Sequence, residues 1–305
     1  MEHTSELAKA LNELKRMTGI SLEISAGTLE EESQALEQIR CLSSAYKEKY
    51  NKNYFLSNLM AGQLPSYDIN ERALRLHIDP ELDRILFIVE TKGQLDDTVM
   101  EILKNLFPSQ SKTLLVPVSE RDLVILRPMK PAETARDSQN LARMIVDTLN
   151  MEALTHVQVA YSGHLHSLLD LADAFRETSL AMKVGKLFYS EQTVFPYNQL
   201  GVGRLIYRLP PDLCEDFLKE VFGKDIPSAF DEELTAAVNK FFQNNLNIAE
   251  TARQLHMHRN TLIYRLDQIE KHTGLDIRKF EDAMTFKIAT MVINYLHIER
   301  TTPNE

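Results

Sequence analysis

The chain has 305 residues, 44% hydrophobic and 26% charged, a profile that suits an ordinary globular protein of two or three domains. Its formal net charge of −10 argues against a generally basic nucleic-acid coat or a membrane-surface protein, while leaving room for a local phosphate-binding patch. No apolar run approaches the roughly 18 residues needed to cross a bilayer. The leading MEHTSELAKALNELKR lacks an apolar signal core, and Cys41 and Cys214 are each expected as a buried reduced thiol, so a cytoplasmic protein is expected.

Residues 1–60 read as helix with one interruption. Leu7, Leu11 and Leu14 recur at helical spacing, Gly19 punctuates, and ISLEIS (Ile20–Ser25) alternates like a short strand. Beyond Thr28, a stripe of Leu29, Leu36, Ile39, Leu42, Tyr46 and Tyr50 predicts a second helix with a solvated opposite face. Two readings stand for this segment, a helix packed on its own domain and a dimerising helix pair. The stripe is too short and irregular for a coiled-coil seam.

The middle of the chain has a different grammar. DRILFIVET (Asp83–Thr91) is an apolar run bounded by charge, as a buried strand is. Helical spacing follows at Val99, Ile102, Leu103 and Leu106 and stops at Pro108. Two apolar runs around Ser119-Glu120-Arg121-Asp122 read as a hairpin. A helix (PAETARDSQNLARMIVDTLNME), a strand (HVQVAYSG) and a long helix (HSLLDLADAFRETSLAMKVGKLF) come next. The order strand, helix, hairpin, helix, strand, helix predicts an α/β domain with a mixed sheet. After SEQTVFPYNQLGVGRLIYRLPPDLCEDFLKEVFG the pattern is wholly helical, and punctuation at Pro210-Pro211 and from Gly223 to Pro227 sets the preferred boundary near residues 223–230, giving segments 1–60, 61–225 and 226–300.

In the last segment DEELTAAVNKFFQNN predicts a helix burying Leu234, Val238, Phe241 and Phe242. Asn247 with Glu250 three residues on is a capping-box arrangement, so the next helix starts at Ile248 and turns Ile248, Thr251, Ala252 and Leu255 inward. Ala252 is small where two helices crossing at about 90–120° come close. His256 occupies the turn position where Gly often supplies positive φ, which His tolerates better than most residues. A third helix runs from about Arg259 to Gly274, its C′ residue. Leu262, Leu266, Ile269 and Thr273 fall on its inner side. Asn260, Tyr264, Asp267 and Lys271 fall on the outer side, with Arg259, Thr261, Arg265 and Gln268 on the flanks. A final helix is expected to bury Phe280, Met284, Ile288, Met291 and Tyr295.

This is the grammar of a helix-turn-helix, whose second unit leads into the major groove of double-stranded DNA, so His258 to Arg265, with Gln268 beyond them on the flank, are the candidate contacts. The planar fork of Arg259 suits the two acceptors of guanine, and the Asn260 amide suits adenine. Thr261, Tyr264 and Arg265 suit phosphate or sugar contacts that set register. NIAETARQLHMHRNTLIYRLDQIEKHTGLDI resembles the C-terminal helix-turn-helix of PucR/CdaR-type transcriptional regulators, with a weaker relation to the Fis-type unit. Residues from about 50 to 200 resemble the degenerate GGDEF-like domain that precedes this module in many members. The resemblance implies a fold of α/β plus all-α type: a helical N-terminal segment, a central GGDEF-like mixed-sheet domain and a C-terminal helix-turn-helix bundle. It also implies a ligand-responsive regulator of catabolic genes, with a small-molecule effector.

Between Ile248 and Thr273 the bases Arg253, Arg259, Arg265 and Lys271 face the acids Glu250, Asp267 and Glu270, a small positive excess. Affinity depends steeply on phosphates neutralised, so two copies about 34 Å apart on a two-fold operator are expected, as a homodimer. One alternative is a ligand-binding or interaction module whose helix-turn-helix has drifted. Another is an active nucleotide cyclase, which needs a glycine-rich hairpin and Mg²⁺-holding carboxylates. The hairpin VPVSERDLVIL offers Glu120 and Asp122 but no glycine pair, so no catalytic residue and no cofactor is expected. His164 with His166, and His256 with His258, lack the further ligands of a tetrahedral metal site, so no metal is expected.

Overall fold

The computed structural model describes residues 2–24, 28–223 and 232–301. Contacts divide the chain into two units, residues 1–182 with 193–199, and residues 183–192 with 200–305. The expected cut at 225/226 lies outside the described residues.

The first unit opens with α1 (Glu2–Thr18), α2 (Leu29–Tyr50), α3 (Lys52–Met60) and α4 (Ser66–Arg75). α1 and α2 pack through Leu7, Leu14, Leu36 and Ile39. The expected stripe on α2 drifts after Ile39: Leu42 is exposed and Ser43, seven residues after Leu36, takes the inward position. Cys41 is therefore also exposed, against expectation, while Cys214 is buried and desolvation raises its thiol pKa. Residues 20–24 form no strand, because alternation without a neighbouring strand leaves the backbone groups unpaired. Asn51 breaks α2 from α3, its side chain accepting from the Tyr54 N–H.

The sheet follows with β1 (Arg84–Thr91), α5 (Asp97–Leu106), β2 (Leu114–Pro117), β3 (Asp122–Pro128), α6 (Ala135–Glu152), β4 (Val157–Leu165), α7 (Leu171–Phe188) and β5 (Val194–Pro196). The strand order is β2-β3-β1-β4-β5; β4 and β5 run parallel and the other neighbours antiparallel, so the sheet is mixed as expected. One face buries Phe87, Val89, Ile125 and Val159 under α5 and α6, through Leu103, Ile145 and Leu149 among others. The alternate residues Leu86, Ile88, Val124 and Leu126 are buried on the opposite face, which is why the central strands read as unbroken apolar runs. The division between units falls inside α7, after Met182.

The second unit contains α8 (Val202–Ile206), α9 (Pro211–Phe222), α10 (Glu232–Gln243), α11 (Ile248–Gln254), α12 (Arg259–Thr273) and α13 (Phe280–Thr301). Two cores meet along α13. Ala283 and Phe286 join Phe241, Ala252, Leu262, Leu266 and Ile269, whereas Ala289, Val292 and Leu296 join Ile206, Cys214 and Leu218. The inward stripe of α13 is thus not the expected one. Met291 and Tyr295 are buried and Ile288 partly so, but Phe280 and Met284 are 69% and 44% exposed. α13 is apolar on more than one side, and small residues admit close neighbours in each core, Ala283 in one and Ala289 in the other.

Candidate nucleic-acid interface

The turns that shape the reader are closed by backbone geometry. α10 ends with Asn245 and Leu246 at positive φ, with the Leu246 N–H donating to the Phe241 carbonyl at 2.9 Å. Asn247 caps α11, its side chain accepting from the Glu250 N–H at 3.1 Å. Only that half of the expected capping box forms. The Asn247 N–H donates to Asn244 instead, and the Glu250 carboxylate turns to Arg253 and Gln254. Inside, Thr251 and Ala252 are buried, and Ile248 and Leu255 pack partly against the same core.

α11 closes in a Schellman arrangement. The Met257 N–H donates to Ala252 at 3.0 Å and the His256 N–H to Arg253 at 3.2 Å, which requires the left-handed conformation that His256 adopts at φ +52°. His256 therefore does what the more usual glycine does in such a turn. His258 then caps α12, its Nδ1 accepting from the Asn260 N–H at 3.2 Å. At the far end Gly274 stands at φ +74° and donates to Glu270.

α12 is held by Leu262, Leu266 and Ile269, all buried, and this fixes which residues face out. His258, Arg259, Asn260 and Thr261 are exposed, and Tyr264 is 64% exposed. Among the described residues Arg259 has no ion pair, and the Asn260 side-chain amide has no hydrogen bond. Arg265 is placed differently. Its Nη2 lies 2.6 Å from Glu233 Oε2, on the first turn of α10, and its Nη1 reaches the Glu233 carbonyl. Gln268 is half-buried on the flank, where its backbone carbonyl accepts from His272. Glu233 was not singled out in the sequence, and a carboxylate 32 residues from its arginine carries no periodic signal.

The hairpin between β2 and β3 uses its hydroxyl and its two carboxylates within its own domain. The Ser119 hydroxyl donates to Asp122 Oδ2 at 2.7 Å and accepts from the Arg121 and Asp122 N–H groups. Glu120 accepts from the Gln94 side chain, and its backbone carbonyl takes the Leu95 N–H. His166 pairs with Asp83 at 2.8 Å, and the His164 ring stands edge-on to it.

Comparison with known proteins bears on the same segments. Residues 234–292 match the PucR C-terminal helix-turn-helix domain, and residues 61–184 match the GGDEF-like domain. The carbohydrate diacid regulator of Escherichia coli strain K12 is 26% identical over 263 residues, 83% of this chain and 68% of that protein. The purine catabolism regulatory protein of Bacillus subtilis strain 168 is 31% identical over 138 residues, 44% of this chain and 25% of that protein. The proline-responsive transcriptional activator PutR of the same strain is 23% identical over 206 residues, 64% of this chain and 49% of that protein.

Proposed function

The chain belongs to the PucR/CdaR-type transcriptional regulators, and from that premise we propose that it grips a two-fold operator as a dimer, in the cytoplasm, and controls catabolic genes in answer to a small-molecule effector. One observation carries the reading: Arg259 and Asn260 stand exposed and, among the described residues, unpaired at the leading end of a helix whose other side is locked into a core. In this role Arg259 bridges the acceptors of guanine, Asn260 reads adenine, and His258, Thr261 and Tyr264 fix register on the backbone. The positive end of the α12 dipole supports a phosphate there. Arg265 and Gln268 serve at the edge, Arg265 only once it parts from Glu233.

A dimer follows from charge. Arg253 and Arg265 are already paired with acids, so one copy offers few free cations to phosphate. For the effector, a cavity of about 440 Å³ inside the second unit is within the size range of small-ligand sites. Leu187 and Glu191 bound it on one side, and Asn239, Phe286, Lys287 and Asn294 on others. The middle domain acts without turnover in this reading, because Ser119 and Gln94 already engage the hairpin carboxylates.

The test is selection of duplexes from a randomised pool by the full chain, followed by titration of Arg259→Ala and Asn260→Ala. Loss of affinity in both, with two chains per duplex in sedimentation, is expected. Unchanged affinity in both favours a ligand-binding or interaction module with a drifted reader. Incubation with GTP and Mg²⁺ is expected to yield no product, and sustained product formation would overturn the non-catalytic reading.

A further inference from the structure

Behind the reading end of α12, one arginine is gripped by three carboxylates. Arg278, in the segment between α12 and α13, places Nη1 2.7 Å from Asp267, Nη2 2.6 Å from Glu270 and Nε 2.5 Å from Asp276. The segment is itself pinned, with the Asp276 N–H donating to Asp282 and the Arg278 N–H to Asp276. The guanidinium beside Asp276 holds that carboxyl below the usual carboxylate range, and in turn its own pKa is raised, first by Asp276.

Two of these acids belong to α12. Asp267 is seven residues after Asn260 and three after Tyr264, so it shares their outward stripe, and Glu270 lies on the adjoining flank. Left alone, both would present negative charge along the helix that approaches phosphates, where like charges in close apposition weaken binding. We propose that Arg278 is a positioning residue of the DNA reader: it draws Asp267 and Glu270 back along α12 and keeps their charge off the face that meets the duplex. Its role presupposes that α12 reads DNA. Each guanidinium nitrogen is turned to a carboxylate, which commits Arg278 to these acids rather than to a phosphate.

The experiment starts from a duplex selected out of a randomised pool by the wild-type full-length chain. Arg278→Ala should weaken binding to it roughly tenfold as the freed carboxylates meet phosphate. The slope of log K against log salt should stay as in wild type, because no phosphate contact is lost. Adding Asp267→Asn and Glu270→Gln to Arg278→Ala should restore affinity, since amides need no cation, and Arg278→Lys should fall between. Thermal melts report folding, and if Arg278→Ala unfolds, Asp267→Asn with Glu270→Gln on the wild-type background decides, with undiminished affinity expected. Diminished affinity in that pair overturns the proposal. So does a slope lowered by about one without rescue, which makes Arg278 a phosphate contact. Unchanged affinity in Arg278→Ala overturns it as well. Arg259→Ala is the control: if the wild type selects no duplex, or Arg259→Ala binds equally, the reader itself fails; if only the Arg278 arms fail, the reader stands.

Discussion

The β2–β3 hairpin and the start of α12 are both short polar turns on the surface; each carries an exposed arginine, Arg121 and Arg259, but they treat their remaining polar side chains differently. At Ser119–Asp122 the hydroxyl, both carboxylates and the backbone find partners within the turn or on the neighbouring loop. At His258–Thr261 the backbone is capped, but the Arg259 and Asn260 side chains meet no partner among the described residues. A polar group already paired within its own fold must give up that partner to meet a ligand, whereas an exposed one gives up only water, for a net gain of about 0.5–1.5 kcal/mol per hydrogen bond. The difference separates a turn that stabilises a domain from a turn built to meet something else.

Several substitutions can break or sharpen that contrast. The largest effect is expected for Leu262→Ala, which empties a fully buried position under α12 and should cost about 2–5 kcal/mol of stability, read by denaturant unfolding. DNA binding should be lost with it. Arg259→Ala should cost about 1–3 kcal/mol of binding to the selected duplex and leave the melting temperature in place. A drop in melting temperature with no change in binding would reverse the assignment of the two turns. Ser119→Ala should remove about 0.5–1.5 kcal/mol of stability from the hairpin without touching DNA affinity. Glu233→Gln should release Arg265 to phosphate, raising affinity by a few-fold and steepening the salt slope; a weaker complex would show that Glu233 orients Arg265 for its contact.

The smallest effect concerns acid. Arg127 grips Glu133 through two hydrogen bonds and holds its carboxyl below the ordinary range. A depressed folded pKa means the contribution is complete above an unfolded value of about 4.3 and fades as pH falls through the folded one. Melting curves of wild type and Glu133→Gln should therefore differ at neutral pH and converge in acid.

Much of the reader was legible in the sequence because local rules act there. Asn247, His256 and Gly274 each mark a helix end by chemistry that operates within a few residues, and the Leu262, Leu266, Ile269 stripe is a clean period. The central strands were legible because burial on both faces leaves unbroken apolar runs. Misreadings arose where several faces could pack. On α13 the choice between stripes rested on small residues, and on α2 a single step from Leu42 to Ser43 changed the inward side. β5 is three residues long, too short to carry a period. The pairing of Arg265 with Glu233, and of Arg278 with Asp267 and Glu270, depends on how helices come together, which no window of neighbouring residues records.

The rims of the sheet have one more consequence. β2 and β5, the outermost strands, are four and three residues long, and each ends in a proline, Pro117 and Pro196. A visiting strand would find few free amides to zip onto and an imino ring where the ladder should continue. Self-association of this domain by strand addition, and runaway fibril growth with it, is thereby discouraged.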